Sequence, residues 1–227
     1  SSYLKKNSSK FAFMHNQKVD LKRDKTIDVA KGIFIITMLI GHFSINTRLR
    51  IIIYSCHMIA FVFLSGYFYK SSRKCVDSLK RMAKSFLIPY IYFVLGVFIL
   101  DTNKWSLSYF KSGIIKYLLG ISFSKNLLTE VGSVGPVYFI LLLFVVRSVY
   151  MFIDKLAVNE FEKWFATLTI SFLGIYLGNR GYWLPWSIDV ALYCVIFYKI
   201  GLFFRQKGIV EFIKNNYYIY FLTEVVS

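Results

Sequence analysis

The chain has 227 residues, of which 56% are hydrophobic and 19% aromatic. Lys and Arg number 28 against 12 Asp and Glu, a formal net charge of +16, and mean hydropathy is +0.53. Disorder, a collagen-like repeat and a disulfide scaffold are excluded, and the blocks of apolar residues argue against a soluble globule, which is roughly 45–50% apolar with dispersed charge. Nor does the charge point to nucleic acid, because Lys and Arg gather between the apolar blocks, where a membrane protein keeps its cytoplasmic loops. The fold class that follows is all-α: a polytopic transmembrane helix bundle in a lipid bilayer. Cys56, Cys75 and Cys194 have neither CxxC nor Cys/His spacing, so no metal site and no disulfide framework are expected.

In chain order, residues 1–26 form a basic tail read as cytoplasmic, and residues 27–227 an integral membrane domain. The tail includes His15, for which no chemistry is expected. The first predicted span runs from Ile27 to about Asn46 and carries Lys31 and His42. A short turn with Arg48 and Arg50 leads into the second, Ile51–Tyr69. A basic loop follows with Lys70, Arg73, Lys74, Lys80, Arg81 and Lys84. The third span is about Ser85–Leu100, with Pro89 near its start. Residues 101–133 form a long connection, in which Ile114–Phe123 is apolar but too short to cross a bilayer and reads as an interfacial or re-entrant helix.

The fourth span, Val134–Ile153, opens on Gly135-Pro136, a good helix start. A charged loop, Asp154–Lys163, separates it from the fifth, Trp164–Gly178. The sixth is Trp183–Phe204, with Trp183 and Trp186 placed as interfacial anchors. A seventh begins near Tyr217. Six complete spans are therefore expected in what reads as a piece of a longer protein, with helices missing after it. With the N-terminus inside, 18 Lys and Arg fall on the inner side and seven on the outer, so the tail is placed in the cytoplasm of a cell bounded by a plasma or inner membrane.

Ionisable groups inside spans are expensive and usually face a bundle interior. Lys31, Arg147 and Lys199 lie near inner span ends, and Arg81 and Lys84 at the inner mouth of span 3. His42, His57 and Asp189 lie near outer ends. The pattern is a cationic inner mouth and a titratable outer half. Lys31 and His42 are eleven steps apart, close to three helical turns, so they share one face about 16 Å apart. Asp28 shares that face and can pair with Lys31. The short turn after span 1 makes spans 1 and 2 a hairpin and puts His57 near the depth of His42.

Blander readings stand beside these. Lys31 alone reads equally as a snorkelling cation, His57 alone reads better as a helix–helix hydrogen-bond partner, and Arg147 and Lys199 read as snorkelling. Asp189 fits a structural pair with an outer cation as well as a catalytic role. Gly174 and Gly178 form a GxxxG read as packing.

The segment from Arg23 through Asp28 and Lys31-Gly32 to Gly41-His42 resembles the opening of the acyltransferase-3 membrane family, whose first span carries a basic residue, ten residues, then His. The run from His57 through Phe61 and Phe63 to Ser65-Gly66 resembles the family's second span, Leu87-Ile88-Pro89-Tyr90 its third, and Pro136-Val137-Tyr138-Phe139 stands where Trp-Phe is common. The stretch from Leu184-Pro185-Trp186 through Asp189 to Lys199-Ile200-Gly201 is similar to the branch that O-acetylates sugars. The match runs in order over about residues 23–204.

The resemblance implies a membrane enzyme of about ten helices that moves an acyl group, usually acetyl, from cytoplasmic acetyl-CoA to a sugar hydroxyl of a cell-surface polysaccharide or lipid-linked sugar. It implies His42 as the essential residue, with Lys31 as its basic partner. Family members often have Arg-x-x-Arg before the third span, and Arg81-x-x-Lys84 is the nearest equivalent here. The expected catalytic residues are His42 and His57, and the expected donor-binding residues Lys31, Arg81 and Lys84. Acetyl-CoA is expected as donor substrate and no permanently bound cofactor is expected. Two rivals remain: a transporter or flippase for an anionic or lipid-linked solute, which would need internal symmetry and helices broken at midplane, and a non-catalytic membrane subunit.

Overall fold

The structure, a computed structural model, describes residues 25–42, 47–71, 75–100, 137–180, 184–213 and 216. The basic tail before Lys25, the interfacial segment 114–123, Pro136, Trp183 and the seventh span near Tyr217 lie outside the described residues. Every regular element among the described residues is helical, with no strand. The helices are α1 (Lys25–His42), α2 (Thr47–Tyr67), α3 (Cys75–Leu100), α4 (Tyr138–Leu156), α5 (Glu160–Asn179) and α6 (Ile188–Gln206), the last entered through a 3₁₀ turn at Pro185–Ser187.

Ring and side-chain contacts fix the directions. Phe34 meets Phe61 and the Lys31 ammonium lies over Phe68, so α1 and α2 are antiparallel. Phe86 meets Phe144, and Met82 packs with Met151, so α3 and α4 are antiparallel. Ser171 bonds the carbonyl of Leu192 while Trp164 meets Phe203, so α5 and α6 are antiparallel too. The α2 and α4 pair runs in one direction, with Met58 beside Tyr138 at one end and Tyr69 beside Asp154 at the other. The α4 and α6 pair does likewise, through Phe144 with Trp186 and Tyr150 with Tyr198. Successive helices therefore alternate up and down.

The three parallel helices α2, α4 and α6 form the centre. Val62, Leu142, Val146, Tyr150, Val195 and Tyr198 are fully enclosed there. On α4 the buried positions Leu141, Leu142, Val145, Val146 and Tyr150 recur at helical spacing and make one apolar face. The outer helices α1, α3 and α5 lean chiefly on α2, α4 and α6 respectively.

Two glycines let α2 and α6 touch by their backbones. A Cβ at Gly66 would run into the Tyr198 carbonyl, and one at Gly201 into the Phe63 carbonyl. Close approach of this kind is what small residues at helix crossings permit. Of the GxxxG on α5, only Gly174 packs closely, against the α6 backbone at Tyr193; Gly178 faces open space.

Several boundaries differ from expectation. α3 starts at Cys75, ten residues before the predicted third span, because the basic segment continues the helix rather than looping. Lys80, Arg81 and Lys84 thus ride on exposed helix surface, and Pro89 is interior to α3 rather than near its start. α5 starts at Glu160, within the predicted loop Asp154–Lys163. The Glu162 carboxylate accepts from the N–H groups of Val158 (2.8 Å) and Asn159 (3.4 Å) and caps that start. Trp186 is half-buried against Phe144, 6.3 Å between rings, so it packs inward. Trp186 (φ 60°) and Ser187 (φ 52°) both take left-handed backbone to make the corner into α6.

Of these helices, only the segment Pro185–Gln206 is long and apolar enough to cross a membrane by length and composition. Charges dilute others: Asp28 and Lys31 sit within α1, and Arg48 and Arg50 open α2.

Candidate active site

The cationic end is where α1 begins, α2 ends, α3 begins and α4 and α6 end. Its charges fall into two groups. The first is a staple. The Asp154 carboxylate accepts from the Tyr69 hydroxyl (3.0 Å), the Ser71 hydroxyl (2.6 Å) and the Lys163 ammonium (2.8 Å). Lys163 also reaches Glu160 (3.2 Å), which accepts a 2.7 Å bond from Lys199. Lys199 is completely buried, so it neither snorkels nor faces an open inner mouth. Arg205 donates to the backbone carbonyls of Tyr67 and Tyr69.

Burial alone would raise the Asp154 and Glu160 carboxyls. Hydrogen bonds from their lysine and hydroxyl partners outweigh it and hold both below the ordinary carboxylate range. Burial would likewise lower Lys163, but its bonds to Asp154 and Glu160 hold it above the usual lysine range. This network ties the ends of α2, α4, α5 and α6 together and fixes the short strap at Tyr69-Lys70-Ser71.

The second group lines a cavity of about 240 Å³ bounded by Tyr69, Lys70, Ser71, Ser78, Arg81, Met82, Arg147 and Met151. Arg81 touches the Ser78 hydroxyl at 3.3 Å. Arg147 is half-buried, and its Nε is enclosed without a hydrogen-bond partner among the described residues. Among the described residues no carboxylate forms an ion pair with Arg81 or Arg147. A cavity lined by cations, with no acid among its described lining residues, has the chemistry of an anion site.

The donor-binding candidates are not gathered in one place. Arg81 lines the cavity. Lys84 is exposed, three residues along α3, and does not line it. Lys31 pairs with Asp28 at 3.5 Å and lies 4.3 Å over the Phe68 ring, so it is held at the same end of the bundle, on α1.

Toward the other end, His57 on α2 is 8% exposed, and its Nδ1 lies 2.7 Å from the Ile53 carbonyl. In neutral imidazole that contact makes Nδ1–H the donor and leaves the lone pair on Nε2. His42 is the last residue of α1, and its side chain lies outside the described residues. The α1–α2 register brings residue 42 level with residues 53–57. From the cavity strap at Tyr69 to His57 is about 18 Å along α2. Asp189, in the first turn of α6, is half-buried with Oδ1 enclosed and unbonded, and it forms no ion pair among the described residues.

Sequence reasoning passed over Lys70, Ser71 and Asp154. Lys70 counted only as one of six loop cations, and Asp154 only as the start of a charged loop. The available signal was a lone acid closing an apolar span, facing hydroxyls at the end of another.

The acyltransferase domain of the acyltransferase-3 family matches residues 24–222, nearly the whole chain and every helix described above. No curated protein and no solved structure matches it. The match takes in α1 with Lys31 and His42, α2 with His57, and the whole cationic end, and the chain belongs to the acyltransferase-3 family of membrane-associated acyltransferases.

Proposed function

We propose that the protein is a membrane-embedded O-acyltransferase with six complete spans, one within each of α1 to α6 and with the charged stretch Asp154–Lys163 outside the membrane, and its N-terminus in the cytoplasm of a cell bounded by a plasma or inner membrane. It moves an acyl group, acetyl in our reading, from cytoplasmic acyl-CoA to a hydroxyl of a cell-surface or lipid-linked sugar. The observation that carries the reading is the cavity holding Arg81 and Arg147 with no counter-acid among the described residues, at the end where the basic segments collect. Two features support the bilayer placement. The helices alternate in direction, and the outer ones turn large apolar residues outward along their length, such as Ile36 and Val29 on α1, Tyr92 and Ile99 on α3, and Phe161, Phe165 and Phe172 on α5. Surfaces this apolar are covered in a working protein.

In this mechanism Arg81, Lys84 and Lys31 attract the donor's phosphates by charge-assisted bonds, and the thin pantetheine arm runs between α1 and α2 toward the histidines. The sugar hydroxyl oxygen attacks the thioester carbonyl carbon. The new C–O bond forms as the C–S bond breaks. The imidazole of His42 takes the hydroxyl proton and returns it to the departing thiolate. His57, whose Nδ1 is held by the Ile53 carbonyl, orients the reacting groups through Nε2.

The test is turnover and acetyl-CoA affinity of the purified protein as His42→Gln and His57→Gln. General-base help is worth roughly 10²–10⁴ in rate. His42→Gln is therefore expected to lose at least about a hundredfold in kcat with donor affinity nearly intact, and His57→Gln to lose less. A normal kcat in His42→Gln with a dead His57→Gln moves the base to α2.

A further inference from the structure

Three cations from three separate segments line the cavity at the cationic end: Lys70 after α2, Arg81 on α3 and Arg147 on α4. Arg147 is the one set deepest in an element. Its enclosed Nε has no acceptor among the described residues, and a buried guanidinium N–H without an acceptor is costly. Asp154, two turns further along α4, is already engaged by Lys163 and two hydroxyls. Among the described residues nothing supplies what the Arg147 Nε lacks, and an oxygen of an anionic ligand would.

Lys70 is held with unusual care for an exposed lysine. Its neighbours Tyr69 and Ser71 donate to the same oxygen of Asp154, and the carbonyls of Tyr67 and Tyr69 are bound by Arg205. The strap is thus fixed by side chain and by backbone, and Lys70 is presented to the cavity between two anchored residues. At about 240 Å³ the space is smaller than the roughly 300–1,000 Å³ that encloses a drug-sized ligand. It suits one charged group of a larger molecule.

We infer that Lys70, Arg81 and Arg147 form a cradle for a diphosphate group, with Arg147 as its deep anchor and Asp154 as the positioning residue of the strap. The inference rests on the donor reading above and deepens it: the diphosphate bridge of coenzyme A is the part bound here. A lipid-linked sugar diphosphate offers the same chemistry, and the experiment separates the two sources.

The experiment measures binding of inorganic pyrophosphate, inorganic phosphate and coenzyme A to the purified full chain by calorimetry, with pyrophosphate as competitor against coenzyme A. Wild type is expected to prefer pyrophosphate to phosphate and to release coenzyme A as pyrophosphate is added. Loss of a charge-assisted bond is expected to weaken both ligands about tenfold or more in Arg147→Gln, with Arg147→Lys recovering part of the loss. Because the Arg147 Nε has no partner among the described residues, ligand-free unfolding temperature is expected to hold or rise in Arg147→Gln. If that variant does not fold, Lys70→Gln decides, since an exposed side chain is replaced: a several-fold loss for pyrophosphate supports the cradle. Unchanged pyrophosphate affinity in both variants overturns it, and if coenzyme A still binds wild type in that case, the donor reading survives alone. Pyrophosphate that binds through Arg147 without displacing coenzyme A keeps the cradle and assigns it to a diphosphate carrier other than the donor.

Discussion

Lys199 and Glu160 form an unequal pair. The lysine side chain is fully buried while the glutamate is 56% exposed and has Lys163 as a second partner. Removing one member of such a pair costs most when the survivor is the buried one. Glu160→Gln should therefore destabilise by about 3 kcal/mol, the low end for a broken buried pair because water reaches the glutamate. Lys199→Met, which removes the buried charge itself, should cost clearly less. Thermal unfolding of the two variants in detergent checks the order, and an equal or reversed order contradicts the assignment of Lys199 to the core. Nothing in the sequence marks Lys199 as core, because a lysine near a span end looks the same whether it snorkels or finds an acid on the next helix. Arg81 and Lys31 were legible at this scale, one at the mouth of a span and the other with Asp28 three residues before it. Asp154 was not, because Tyr69 and Ser71 come near it only through tertiary folding.

At the scale of elements, the α2–α6 crossing depends on missing side chains. Gly66→Ala must push against the Tyr198 carbonyl, a backbone atom that cannot rotate away. Overpacking of this kind typically costs 1–3 kcal/mol, so a loss of about 2 kcal/mol is expected. Gly178→Ala meets nothing within 4 Å on α5 and should be neutral or stabilising by up to about 1 kcal/mol, since alanine favours helix over glycine. Unfolding temperatures of both variants test the contrast. The GxxxG spacing on α5 is therefore half informative: spacing identifies glycines that lie on one face, but not which of them meets a partner. Helix starts were the least legible feature. α3 hides its first ten residues under lysines and arginines that a hydropathy reading assigns to a loop, although such residues are good helix formers. α5 begins inside a charged stretch for the same reason, and its Asn159–Glu162 cap is the signal that a closer reading would have used.

For the whole molecule, two predictions concern the charged end. Asp154 and Glu160 are held below the ordinary carboxylate range. Groups so depressed contribute stability that is present above their unfolded values and lost as pH falls through the folded ones. Lys163 is raised, so its contribution is full at neutral pH and disappears only in strong alkali. Unfolding temperature should therefore be flat around neutrality and fall below about pH 4, and Asp154→Asn should flatten the acid limb. A limb unchanged by that substitution would remove Asp154 from the staple. The second prediction concerns sidedness. In a background with Cys56 and Cys194 replaced by serine, Cys75 at the start of α3 should react with an impermeant maleimide only from the cytoplasmic face. Labelling from outside inverts the proposed topology. The all-helical class was legible from composition, because long apolar blocks separated by basic segments leave few other ways to satisfy the backbone. Which helices form the centre was not, because α2 is the least apolar of the six and still belongs to it, selected by its glycine and ring contacts.

The helix that touches α2, α4 and α5 is also the last of the six to be synthesised. Until α6 emerges, Gly66 has no backbone to meet, Glu160 has only Lys163, and the carbonyls of Tyr67 and Tyr69 wait for Arg205. The earlier helices are joined mainly as hairpins with their neighbours, and the strap that carries Lys70 is fixed on one side only. Assembly order thus differs from chain order: the cavity, built from residues 69–151, takes its final shape only after residue 205 has arrived.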